Sequence, residues 1–126
     1  MNNTNACANN AAAKLIFACS GAADVGAIAD QAARKLTRDG HGKMFCLAGV
    51  GGRVPPIIER TQSAERVLAI DGCELDCVKK CLELAGFPDA DHVRLSDLGF
   101  EKGKSPVTNE AVDRVAACAA EILAAR

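Results

Sequence analysis

Short apolar runs alternate with stretches of helical period along this chain. Lys14 to Ala18 is the first run, apolar enough to be a strand covered on both faces. From about Asp24 a period of 3.6 takes over: Val25, Ile28, Ala29, Ala32 and Leu36 share a face, and Asp30, Gln31, Arg34 and Lys35 point away. Arg38-Asp39-Gly40 stops this helix. A second apolar strand is predicted over Lys43 to Ala48, followed by a flexible turn at Gly49-Val50-Gly51-Gly52. Arg53 to Ser63 reads as a weaker helix, with Pro55-Pro56 near its start where proline is tolerated. Val67 to Ile70 is a third strand, running into Asp71-Gly72-Cys73 and a helix from about Cys73 or Glu74 to Ala85 that closes at Gly86. His92 to Leu95 reads as a short fourth strand, with Ser96-Asp97-Leu98-Gly99 and a loop after it. Ser105-Pro106 or Thr108 offers the cap of a last helix, whose buried stripe is Val112, Val115, Ala116, Ala119, Ile122 and Leu123.

Four strand–helix repeats predict an α/β fold of Rossmann-like kind: a three-layer sandwich with a parallel four-stranded sheet and helices on both faces. Right-handed crossovers favour strand order 2-1-3-4. Any site then lies beyond the carboxyl ends of the strands, near the switch in strand order. Residues 1–13 are Asn- and Ala-rich without a period and read as a disordered tail; 14–126 reads as one domain.

Composition removes several function classes. Fifteen Lys and Arg against sixteen Asp and Glu leave no basic stripe, and four Phe with no Trp or Tyr make no base-stacking platform, so no nucleic-acid partner is expected. No apolar run approaches the ~20 residues of a membrane span, and the first residues lack a secretory pattern, so no membrane association and a reducing cytoplasm are expected. There, seven cysteines point to metal binding or thiol chemistry, and an odd count argues against a disulfide framework.

Cys19 ends strand one, Cys46 lies late in strand two, Cys73 follows strand three, and Cys77 comes one helical turn later. A 2-1-3-4 order makes those elements neighbours, so all four thiols point to one sheet edge. Four converging thiolates are the composition of a closed tetrahedral zinc site. Cys81 extends the row. At about 100° per residue, Val78, Leu82 and Ala85 share a face, Cys81 stands on its shoulder, and Cys77 and Cys73 fall progressively off it. Cys81 is therefore expected as a small buried hydrophobe, Cys118 as structural, and Cys7 as incidental in the tail.

Asp71 is expected to cap the turn that follows it, or to serve as a base or ligand orienter. The loop from Cys19 to Gly26 lacks the Gly-Lys-Ser/Thr of a Walker loop and an arginine clamp, which argues against phosphoryl chemistry. His41 and His92 fall at the amino ends of strands two and four, and both are expected on the surface, away from the cysteines. Lys102 lies on the cysteine edge and could bring positive charge to it.

Three segments, Phe17 to Gly26, Phe45 to Gly52 and Ile70 to Cys77, resemble in order and spacing the DGC-domain family, which takes its name from an Asp-Gly-Cys motif, here Asp71, Gly72 and Cys73. The resemblance runs from about Lys14 to Lys102. It implies a zinc-binding protein with chelating cysteines matching Cys19, Cys46, Cys73 and Cys77, and it implies no reaction; Cys81 is not part of the motif, which leaves a swap between Cys77 and Cys81 open. The alternative is a cysteine-dependent redox or sulfur-transfer enzyme, with Cys73 or Cys19 as nucleophile and Cys77 as resolving thiol.

Overall fold

The computed structural model describes residues 13–125. The tail expected over 1–13, with Cys7, lies outside the described residues but for Ala13. In chain order the elements are β1 (Lys14–Ala18), α1 (Asp24–Arg38), β2 (Lys43–Met44), α2 (Leu47–Gly51), α3 (Pro55–Gln62), β3 (Arg66–Asp71), α4 (Cys77–Leu84), β4 (Asp91–Arg94), a 3-10 turn (Leu95–Leu98) and α5 (Asn109–Ala124). The sheet is all parallel, in the order β2-β1-β3-β4. The expected α/β architecture and strand order are therefore the observed ones.

Because side chains alternate across a strand, the two central strands feed two cores. Ile16, Ala18, Leu68 and Ile70 face α1 and α5, meeting Val25, Ile28, Leu36, Val115 and Leu123. Leu15, Phe17 and Ala69 face the other way, against Val50 of α2 and Val78 and Leu82 of α4. Each large aliphatic side chain so buried contributes about 1.5–3 kcal/mol relative to exposure. With few aromatics, alanines at 29, 32, 33, 116 and 119 let α1 and α5 approach the sheet and each other closely.

The helix ends follow their sequence signals. α1 closes with Gly40 at φ +82, its N–H on Thr37 O and the His41 N–H on Leu36 O. α4 ends the same way at Gly86, with the Phe87 N–H reaching Leu82 O. Thr108, one of the two expected caps, accepts from the Ala111 N–H.

Several element boundaries differ from expectation. β2 holds only Lys43–Met44; the chain bends at Phe45, and Cys46 caps α2, so Gly49–Gly51 is helical rather than a turn. Phe45, Leu47 and Val50 still reach the same core, so the apolar run is satisfied by a helix as well as by a strand. The helix after β3 starts at Cys77, not at Cys73 or Glu74, because Asp76 sits in the left-handed region (φ 56, ψ 44) and breaks the helical path. β4 is likewise Asp91–Arg94, with Leu95 opening the 3-10 turn.

Candidate functional site: the thiol edge

Backbone pairing knits the carboxyl ends of three strands together. The Cys19 N–H continues the β1–β3 ladder by donating to Ile70 O at 2.9 Å, which sets Cys19 beside Asp71-Gly72-Cys73. The Phe45 N–H donates to Ile16 O at 2.9 Å, so Cys46, the next residue, leaves the sheet alongside β1. Cys73 lies in the β3–α4 loop and Cys77 is the first residue of α4. α2, which Cys46 caps, packs against α4. The four cysteines singled out in the sequence thus belong to elements that meet at one edge.

Their surroundings differ. Cys19 and Cys73 are half-buried against the core, whereas Cys46 and Cys77 are exposed. The Cys46 sulfur accepts a hydrogen bond from the Gly49 N–H at 3.3 Å, which caps α2. Although the residue is exposed, partial loss of water around its sulfur pushes the Cys77 thiol up, and the negative potential of Cys19, Asp71, Cys73 and Cys81 pushes it further. Cys81 is therefore not the buried hydrophobe expected of it. It is half-buried, outside both core clusters, and close enough to be felt by Cys77. One turn separates the two on α4, and the core face of that helix is already filled by Val78 and Leu82. Cys118 is half-buried on α5.

The Asp-Gly-Cys motif has a separable physical role for each of its first two residues. Asp71 is 1 % exposed and caps α4 from a distance: its carboxylate accepts from the Val78 N–H at 2.8 Å and the Lys79 N–H at 3.1 Å. Asp71 caps, as expected, but what it caps is the first turn of α4 rather than the turn that directly follows it. Gly72 lies so close to α1 that a Cβ would stand 3.0 Å from the Val25 carbonyl carbon and 3.1 Å from Gly26 N.

His92 is not the surface residue expected. Parallel pairing places it opposite Ala69, and its Nε2 lies 2.8 Å from Asp71 Oδ2 and 3.7 Å from Asp76 Oδ1. Asp71, Asp76 and His92 bring their ligand atoms within 4.8 Å of one another, a set that could hold a cation. Protein donors already serve it. Arg94 grips Asp76 with two bonds of 2.8 and 2.6 Å, holding that carboxyl below the usual range. Among the described residues, no three thiols approach one another that closely.

Asp24 anchors the loop that closes the edge. Its carboxylate accepts from the N–H groups of Gly103 and Ser105, and these two bonds are the main reason its pKa is lowered. This fixes the loop that carries Lys102. Lys102 lines a cavity of about 490 Å³ beside Cys73, together with Gly72, Glu74, Ser96, Phe100 and Glu101. Lys102 is thus on the thiol edge, as its position after strand four predicts.

The donor set fits zinc in chemistry, because thiols from three adjacent elements are the soft ligands that zinc takes. It does not fit as a preformed cage, because the sulfurs have to turn toward one another. Fold and edge together define a parallel α/β domain with several cysteines borne by adjacent elements at the carboxyl side of its sheet. The chain belongs to the DGC-domain family, whose model matches residues 15–119. It is similar to the anaerobic and virulence modulator AnvM of Pseudomonas aeruginosa, 42 % identical over 88 residues, which cover 70 % of this chain and 67 % of that protein. No solved structure matches the chain. Among the described residues no helix is long and apolar enough to cross a membrane.

Proposed function

We propose that this protein binds zinc through the thiolates of Cys19, Cys46, Cys73 and Cys77 in a reducing cytoplasm, as a sensor or carrier module rather than a catalyst. The observation that carries this reading is the meeting of the thiol-bearing elements at adjacent strand ends, in a neighbourhood where Cys77 is disfavoured from ionising alone. A bound dication reverses that balance by making each thiolate favourable. Membership of the DGC-domain family is consistent with a metal-binding role.

Metal content of the native protein tests this. Protein purified anaerobically is expected to carry zinc at about one per chain, the occupancy of a closed four-thiolate site, and Cys19→Ser or Cys73→Ser should each release it. Metal-free protein whose cysteines all react with a thiol reagent would refute the proposal.

One observation favours a second reading, a redox or sulfur-transfer enzyme. The cavity beside Cys73 could admit a small substrate to that thiol. Cys77, held protonated by its neighbours, then fits a resolving thiol better than an attacking one. Cys73 as nucleophile predicts one thiol with much faster alkylation than the rest in metal-free protein.

A further inference from the structure

Within the loop that leads from Cys73 to Cys77 one backbone bond closes the turn, from the Asp76 N–H to Cys73 O at 3.2 Å, and the ends of the loop are fixed from outside it. The loop begins at Asp71 and ends at Asp76, and both carboxylates are held from β4. His92 Nε2 is 2.8 Å from Asp71 Oδ2, and Arg94 makes its paired bonds to Asp76. His92 and Arg94 are two apart on one strand, so both side chains emerge on the face that α4 covers. Asp76 pays for this grip with a left-handed backbone, which non-glycine residues enter only at a cost. It also gives up its natural task. A residue at its position usually caps its own helix, but its side chain is turned to Arg94, and the cap is supplied by Asp71 instead.

The obvious alternative is that Asp71, Asp76 and His92 form a cation site of their own. The guanidinium of Arg94 already occupies both oxygens of Asp76, and two backbone N–H groups share Asp71 with His92. The cluster is a closed polar network spanning two strand ends, with the thiol loop slung between its two carboxylates.

We propose that His92 and Arg94 are positioning residues for Cys73 and Cys77, with β4 imposing the loop conformation that presents the two thiols together. In its metal-binding aspect this rests on the reading that the two cysteines are zinc ligands. Residues that orient metal ligands from behind typically change affinity by about 10–100-fold when removed. Arg94 acts in this way through Asp76, the neighbour of Cys77, rather than by touching the metal.

Arg94→Met keeps the length of the stem and removes the fork; Arg94→Lys keeps the charge but cannot bond both oxygens in the same way. A third variant, Leu123→Ala, opens the core at the far end of α5 and supplies a destabilised protein with the network intact. Two measurements are made on each: zinc affinity by competition with a chromogenic chelator, and the iodoacetamide labelling rates of Cys73 and Cys77 in reduced, metal-free protein, referenced to Cys118. Arg94→Met is expected to weaken zinc binding by about tenfold or more and to label several-fold faster at Cys73, which is half-buried in the intact loop. Arg94→Lys should recover only part of both, and Leu123→Ala should change neither. Arg94→Met behaving like Leu123→Ala in both measurements would overturn the proposal. If the unaltered protein binds no zinc, the metal reading fails by itself, and the labelling rates of the same variants decide whether Arg94 positions the thiols.

Discussion

The glycine of Asp-Gly-Cys makes a quantitative prediction. A methyl group added at Gly72 would stand 2.9 Å from Val25 Cγ2, 3.0 Å from the Val25 carbonyl carbon and 3.1 Å from Gly26 N. Two of those atoms are backbone in the first turn of α1, and Val25 is itself 1 % exposed, so the neighbours have nowhere to withdraw. Nor can Gly26 move back freely, since a Cβ there would already meet Gly21 N and O at 3.0 Å. Overpacking of this sort costs about 1–3 kcal/mol. Alanine recovers about 0.4–1 kcal/mol by restricting the unfolded chain. The net expectation for Gly72→Ala is a loss of about 1.3 kcal/mol, from the centres of the two ranges. In urea, with a slope of about 1.5 kcal/mol per molar for a chain of this size, the midpoint should fall by roughly 1 M at unchanged slope. Gly51 is the internal reference: nothing lies within 4 Å of its Cβ position, and it ends α2. Gly51→Ala should move the midpoint upward, by helix propensity alone. A Gly72→Ala midpoint at or above that of the parent protein would show that the close approach to α1 is not what requires glycine in the motif.

Two further outcomes follow from the carboxylates. Asp71→Asn places an amide NH₂ where a buried carboxylate oxygen now accepts, so one helix N–H of α4 or His92 loses its acceptor; the expected cost is about 1–3 kcal/mol by thermal or urea denaturation, and an unchanged transition would contradict the capping role. Asp24, its pKa lowered by the Gly103 and Ser105 N–H groups, contributes stability that is complete above the ordinary aspartate value of about 3.9 and is lost as pH falls through the lower folded value. The stability difference between the parent protein and Asp24→Asn should therefore be present near neutral pH and shrink in acid, and a difference independent of pH would refute this assignment.

The central strands were legible because each alternates two buried faces over five or six residues, which no other element satisfies as well. The strand order followed from crossover handedness and placed Cys19 and Cys73 on adjacent strand ends. β2 was less legible for a definite reason. Phe45, Leu47 and Val50 reach the same core whether the run is strand or helix, and a cysteine is not a recognised cap, so nothing local marked Cys46 as the bend. The start of α4 was hidden for a different reason. Asp76 is held out of the helix by Arg94, eighteen residues further on, and only the pairing of Asp71 with Arg94 in the sheet brings the two into reach. The same register turns His92 from a surface residue into a partner of Asp71. Local pattern carries periodicity and caps; it does not carry register, and the polar network behind the thiols is made by register. Cys81 shows the limit of a helical wheel: an angle on the shoulder of the core face did not say which neighbour the thiol would meet.

The early end of β2 also governs how this molecule meets others of its kind. An open parallel sheet exposes a row of unpaired donors and acceptors on each flank, where a strand from another chain could add. Here that flank is two residues long. Since the Phe45 N–H points inward to Ile16, the intervening Met44 N–H points outward, and it is already occupied by the Thr37 hydroxyl. The bend that makes Cys46 a cap therefore leaves almost no template for strand addition, and the protein is protected from edge-to-edge aggregation on that side by brevity and by one threonine.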